Sequence, residues 1–219
     1  MFQLYNELQQ FPLFLGLGSA ELTEIMAHTK FDFRKYEAGE TVACAGEVCR
    51  HLHLLIGGKL QTTTLSVDRS YSVDEELEPP AIFQLERLFG LHQRFDSSYT
   101  ALTPCSMILI SKREVMRLTQ TYVVCRMNLI NHMATQAQKQ SDRRWLPAPH
   151  SVEEHVGRFL KTHCNSPAGA KTFHIKMNRL ANELNDSRLD ISRALNRMQA
   201  QGLIALGREK IYIPQMERL

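Results

Sequence analysis

The apolar positions change period along the chain, and each change predicts a different element. Residues 13–26 carry Leu13, Phe14, Leu17, Leu22, Ile25 and Met26 at helical spacing, a short amphipathic opening for which Ser19 is the expected cap. From Phe31 the period falls to two. Strands are expected over 31–36, 41–44, 51–56 and 59–65, with turns at Gly39, Gly46 and Gly57-Gly58. Short strands joined by glycine-centred turns predict a small barrel or roll. Residues 66–82, with Asp74, Glu75, Glu76, Glu78 and Pro79-Pro80, break the alternation and are expected to be exposed loop and strand.

After Ser111 the spacing is helical for a long way. Val123, Met127, Ile130, Ala134 and Ala137 alternate steps of four and three, the repeat of a coiled-coil seam. A helix packed along its own roll is the alternative, and both uses fit one helix. Pro147 and Pro149 end it, because neither continues a helix and each biases its predecessor toward extended backbone. Ser151 with Glu154 then reads as a capping box opening a new helix through Val156, Phe159 and Leu160. A polar loop over 165–170 leads to Phe173 and Ile175.

Beyond it lie two short helices and a hairpin. Leu180, Ala181 and Leu184 share one side of the first helix, and Asn185 suits a left-handed turn. Ser187 caps the second, Asp190 answers as a capping-box acid at the positive end of the helix dipole, and Gly202 closes it. Ile191, Ala194, Leu195 and Met198 are its core face. The other face shows Arg188, Leu189, Ser192, Arg193, Asn196 and Arg197, residue types that suit the DNA major groove, where Arg meets guanine and Asn meets adenine. Residues 203–214 form two apolar strands around a polar turn at 207–210, the wing of a winged helix-turn-helix. The expected class is α+β, divided into a β-roll over 1–120, a long helix over 121–146 and the winged helix-turn-helix over 147–219.

Charge sharpens this picture. From residue 143 onward the chain has about 13 Lys and Arg against about 7 Asp and Glu, whereas the part before has about 13 against about 16. The positive charge is therefore concentrated where phosphate is expected. Five cysteines, an odd number spread widely, argue against a disulfide framework and for a reducing compartment. No apolar run approaches bilayer length and the N-terminus lacks a basic region before an apolar core, so a cytoplasmic protein with no membrane partner is expected.

The segment Ser187-Arg188-Leu189-Asp190-Ile191-Ser192-Arg193, followed by Leu203-Ile204 and the wing, resembles the DNA-binding end of the Crp/Fnr family of bacterial regulators. The pattern Tyr36-Glu37-Ala38-Gly39-Glu40, Gly46-Glu47 and residues 52–60 resembles the cyclic-nucleotide-binding β-roll of the same family. The resemblance implies a double-stranded β-roll sensor, a homodimer joined through the long helix, double-stranded DNA with a palindromic operator, RNA polymerase as a further partner and an unidentified small-molecule effector. It places Arg188, Leu189, Ser192, Arg193 and Asn196 on bases and Arg179, Ser187, Arg208 and Lys210 on phosphates. Many members carry an acid where this chain has Leu189, whose expected partner is a thymine methyl group.

Members that bind a cyclic nucleotide use a Gly-Glu pair for the ribose and an Arg followed by a small polar residue for the phosphate. Here those positions fall at Gln84-Leu85 and Phe95-Asp96, which offer neither an acceptor for a hydroxyl nor a charge for a phosphate. Glu86 and Arg94 each lie one place out of register. Control by cyclic AMP is therefore not expected, and no cofactor, metal or catalytic group is assigned. Three rival readings differ in kind. A cupin-type metalloenzyme would use His51 and His53 but lacks a third ligand. A redox- or haem-sensing family member stays open: Cys44 and Cys49 with Cys105 or Cys125 match no cluster spacing, but a single axial His leaves no signature. A β-roll ligand-binding module with a vestigial DNA end is opposed by Arg188, Arg193 and the concentrated charge.

Overall fold

The structure is a computed structural model that describes residues 2–142 and 145–219; residues 143 and 144, inside the helix expected over 121–146, lie outside the described residues. Helix α1 (Phe2–Leu8) and a 3-10 turn (Pro12–Phe14) precede α2 (Ser19–His28). Strands β1 (Phe31–Tyr36), β2 (Thr41–Ala43), β3 (His51–Gly57), β4 (Leu60–Leu65), β5 (Ser72–Leu77) and β6 (Ala81–Phe83) lead to the one-turn α3 (Leu85–Leu88). After β7 (Ser97–Ala101) and β8 (Cys105–Ser111) come α4 (Lys112–Thr121), α5 (Val123–Asp142), α6 (Val152–Thr162) and β9 (Lys171–His174). Then come α7 (Met177–Leu184), α8 (Arg188–Ala200), β10 (Ala205–Gly207), β11 (Lys210–Ile213) and a last 3-10 turn (Met216–Arg218). This is the expected α+β class, a β-roll followed by a long helix and a helix-turn-helix. Two local expectations shift. The cap of α2 is Gly18 rather than Ser19, its N–H donating to the Glu21 carboxylate at 2.9 Å. The acidic stretch after residue 66 holds strand as expected, β5 and β6, but Val73 and Glu75 within it are buried rather than exposed.

The chain forms two compact units, one of residues 1–60, 78–95 and 100–146, the other of residues 61–77, 96–99 and 147–219. In the first, an antiparallel sheet runs β1-β8-β3-β6. Its central strands are buried on successive residues, Met107 to Ile110 in β8 and Leu52 to Leu55 in β3, all apolar except His53. Such unbroken runs arise where both faces of a strand are covered. Gly58 turns the chain after β3 at φ +83°, and a side-chain carbon there would come within 2.3 Å of the Pro104 carbonyl, so only glycine fits. Ser111 caps α4, accepting from the Glu114 N–H at 3.3 Å. Helix α5 uses its two sides differently. Cys125 is fully buried, and the Asn128 amide donates to the carbonyls of Leu13 (3.2 Å) and Leu15 (2.8 Å), fastening that side to its own unit. Val123, Met127 and Ile130 are 58, 46 and 51% exposed, and Ala134 and Ala137 are exposed in line with them.

In the second unit the strand order is β10-β11-β9-β5-β4-β7. Helices α6, α7 and α8 close over a core of Val156, Phe159, Leu160, Leu180, Leu184, Ile191, Leu195 and Met198 with Phe173, Ile211 and Ile213 of the sheet. The backbone turns follow local chemistry. Asn185 adopts φ +52° and the next N–H, of Asp186, reaches the Ala181 carbonyl at 3.0 Å. Gly202 ends α8 at φ +70°, with the Leu203 N–H on the Met198 carbonyl at 3.0 Å. Strand β5 pairs antiparallel with β9, Val73 opposite Phe173 and Glu75 opposite Lys171. Val73 joins the helical core, while the Glu75 carboxylate and the Lys171 ammonium lie 3.2 Å apart at 3% and 1% exposure. Both buried charges are further bonded: Glu75 accepts from the Asn165 and Ser166 N–H groups at 2.9 and 3.0 Å, and Lys171 donates to the Ala168 carbonyl at 2.8 Å. Without such partners either ion would be too costly to bury.

Candidate nucleic-acid interface

The reading face is built on the first turns of α8. Burying Ile191, Ala194, Leu195 and Met198 forces Arg188, Leu189, Arg193 and Asn196 outward, with Ser192 half-buried between them. Leu189 is 58% exposed, an apolar side chain presented to solvent beside two arginines. Arg193 lies 3.6 Å from Asp190 in an open i,i+3 pair that leaves its side chain 61% exposed. Ser187 caps the helix, accepting from the Asp190 N–H at 3.1 Å and giving its own proton to the Asp190 carboxylate at 2.6 Å. The capping-box acid thus takes the serine proton, and Ser187 has its proton and one of its two lone pairs committed. Arg197 is turned away to α6, where its Nε donates to Glu153 and holds that carboxyl below its ordinary range.

The hairpin of β10 and β11 carries Arg208 and Lys210 at its exposed end, with Glu209 at φ +57° in the turn. A cleft of about 320 Å³ separates this wing from the start of α7 and α8, and Lys176, Asn178, Arg188 and Lys210 line it. Arg188 and Lys210, chosen from the sequence for different contacts, therefore face the same groove. Lys176 and Asn178 were not singled out there; a basic residue opening the first helix of the pair is the signal that marks them. Arg179 has a different setting. It lies on the flank of α7, half-buried, paired with Asp68 at 3.0 Å and with Glu183 one turn along the helix.

The cassette positions of the roll present no such face. Phe95 is buried, its ring edge-on to the His53 imidazole at 5.5 Å, and His53 stacks on Phe83 at 5.1 Å. Leu85 is buried, and Gln84 sits at φ +52° beneath the surface. Glu86 is exposed, and Arg94, also exposed, donates to the Gly46 carbonyl at 2.6 Å. Asp96, in the other unit, accepts from the Ser97 hydroxyl at 2.8 Å. Burial lowers the His53 pKa to about 4 and raises the Cys49 thiol to about 11, so both groups stay neutral. His51 and His53 lie edge to face, 6.4 Å between ring centres. Among the described residues no three His, Cys, Asp or Glu side chains are grouped to hold a metal ion, and no helix is long and apolar enough to cross a membrane.

Comparison with known proteins agrees with both halves of this geometry. A cyclic nucleotide-binding domain model matches residues 33–122 and a Crp-like helix-turn-helix domain model matches residues 154–219. The catabolite activator protein of Thermus thermophilus has the same fold, with 19% identity over 93% of each chain and a TM-score of 0.52. The sensor domain of the transcriptional regulator DNR from Pseudomonas aeruginosa superposes with a TM-score of 0.53 at 18% identity, over 66% of this chain and 95% of that one. No curated protein sequence matches. A roll matched by one domain model, a reading head matched by the other and the long helix in sequence between them leave one assignment: the chain belongs to the Crp/Fnr family of DNA-binding transcription regulators.

Proposed function

We propose that the chain works in the cytoplasm as a homodimer that reads a palindromic operator, and that cyclic AMP does not control it. The observation that carries the reading is the exposed first turns of α8, which set Arg188, Leu189, Ser192, Arg193 and Asn196 outward over a fully apolar inner face. Arg188 and Arg193 pair with guanine edges, Asn196 with adenine, and Leu189 packs on a thymine methyl group. Arg179, Arg208 and Lys210 meet phosphates and fix register without reading sequence. Ser187 contributes through the orientation of α8, since Asp190 occupies its hydroxyl.

The exposed stripe of Val123, Met127, Ile130, Ala134 and Ala137 supports dimerisation through α5, because a twofold copy would cover it in heptad fashion. Two recognition helices would then enter successive major grooves about 10 base pairs apart. An effector bound by the roll would act by favouring one arrangement of the two α5 helices. Phe95 and Leu85 in the cassette support a ligand other than a cyclic nucleotide, and RNA polymerase is the further partner expected of an activator.

The test is selection of tight binders from random duplexes, with and without cyclic AMP, on chain whose association state is measured by sedimentation. A palindromic site enriched equally in both arms is expected, and Ile130→Glu is expected to yield monomer and lose that site. Enrichment only with the nucleotide would overturn the effector reading. A dimer that enriches nothing in either arm would overturn the operator reading.

A further inference from the structure

The β4–β5 hairpin belongs to the same compact unit as the helix-turn-helix, and it meets that domain with acids against bases. Along the paired strands Glu75 faces Lys171, and the Asp74 carboxylate lies 2.8 Å from His174 Nε2. At the hairpin turn Asp68 Oδ2 lies 3.0 Å from Arg179 Nη2. The two ends of this line differ in kind. Glu75 and Lys171 are almost fully buried and Val73 beside them sits in the helical core, so the strand is firmly seated. The Asp68 and Arg179 side chains are 48% and 35% exposed, and exposed pairs of this sort contribute little and exchange partners readily.

Asp68 is nonetheless prepared for the contact. The Ser66 and Ser70 hydroxyls donate to its Oδ1 at 2.8 and 2.7 Å and the Ser70 N–H donates at 3.1 Å. These bonds, the Ser70 hydroxyl foremost, hold its carboxyl at about 2, so it is an anion throughout the neutral range. Arg179 has Glu183 as a second acceptor, and its Nε is buried with no hydrogen-bond partner. Two carboxylates on one guanidinium leave no net positive charge there for a phosphate to meet.

We propose that Asp68 is a competitor for DNA phosphate carried within the chain: it occupies Arg179 in the free protein, and DNA binds by displacing it. The hairpin turn then sets how tightly the helix-turn-helix holds DNA of any sequence, apart from what α8 reads. This rests on the reading of Arg179 as a phosphate contact.

The experiment uses the full chain and a labelled random-sequence duplex, titrated over a range of salt. Asp68→Asn keeps the size of the side chain and an oxygen for the serines. It is expected to bind roughly twofold to fivefold tighter, the worth of one exposed ion pair. Because Arg179 ends on phosphate in both chains, the slope of log K against log salt should stay close to the native one in Asp68→Asn and become shallower by about 0.9 in Arg179→Ala. In an Arg179→Ala chain the same change should do nothing. Glu183→Gln, which removes the other acceptor without touching the hairpin, should reproduce the gain and covers the case in which Asp68→Asn disturbs the turn. An equal gain in the Arg179→Ala background would reduce Asp68 to a distant negative charge and overturn the proposal. So would an unchanged affinity in both acid variants of a chain that does bind. If neither the native chain nor the variants bind duplex at low salt, the DNA reading itself fails and takes the competitor with it.

Discussion

In the roll, the two positions where a ribose and a phosphate would be gripped hold Leu85 and Phe95, both buried; in the reading head, the first turns of α8 hold Arg188 and Arg193, both exposed. The same contrast extends to the titratable groups nearby. His53 is buried beside Phe83 and Phe95 with no partner on Nδ1 and is kept neutral, whereas Lys171 and Glu75 are buried as ions that satisfy each other and three backbone groups. A low-dielectric interior tolerates a polar group in one of these two ways. The cassette positions Leu85 and Phe95 lie in the core, whereas Arg188 and Arg193 of α8 stand at the surface.

The largest effect that would break the comparison is at Phe95. If its ring fills the roll interior, Phe95→Ala should cost about 3–5 kcal/mol in urea unfolding. A loss below about 1 kcal/mol would show that the ring lines open space, contrary to the packing against His53. His53 provides the next test, through pH. Its folded pKa of about 4 lies below the ordinary 6.5, so the unfolded chain takes up the proton first as pH falls. Stability that is fully present above pH 6.5 should therefore decline toward pH 4, by on the order of 3 kcal/mol from this group. His53→Leu should flatten that window in unfolding curves measured across pH; an unaltered pH dependence would move the effect to another residue.

Smaller changes sharpen the other side. Arg193→Ala is expected to lose about 1–3 kcal/mol on the selected operator and nothing comparable on random duplex. Equal losses on both would reassign Arg193 to the backbone. Lys210→Ala is expected to weaken operator and random duplex alike and to reduce the salt slope by about 1. A sequence-dependent loss there would place Lys210 on a base.

These regions were unequally legible in the sequence for physical reasons. Asn185, Ser187 and Gly202 act on backbone groups within a few residues of themselves, so the helix-turn-helix could be read from a single window, and the apolar faces of α7 and α8 followed from spacing alone. The strand β5 could not. Its inward positions are Val73 and Glu75, and an acid at an inward position looks like a loop residue until its partner is known. That partner, Lys171, comes from a strand far along the chain. Arg179 was legible as a cation of the helix-turn-helix but not as one already engaged, since Asp68 is equally remote in sequence. Leu85 and Phe95 at the cassette positions were visible in the sequence, whereas the use of Phe95 as packing for His53 needed the fold.

The paired bonds from Asn128 limit how α5 can move. One amide divided between the carbonyls of Leu13 and Leu15 acts as an indexing pin. Slipping the helix by a single residue would advance it about 1.5 Å and turn it about 100°, withdrawing the amide from both acceptors at once. A shift of α5 that keeps these bonds carries residues 13–15 with it, which makes that short segment a lever on the helix.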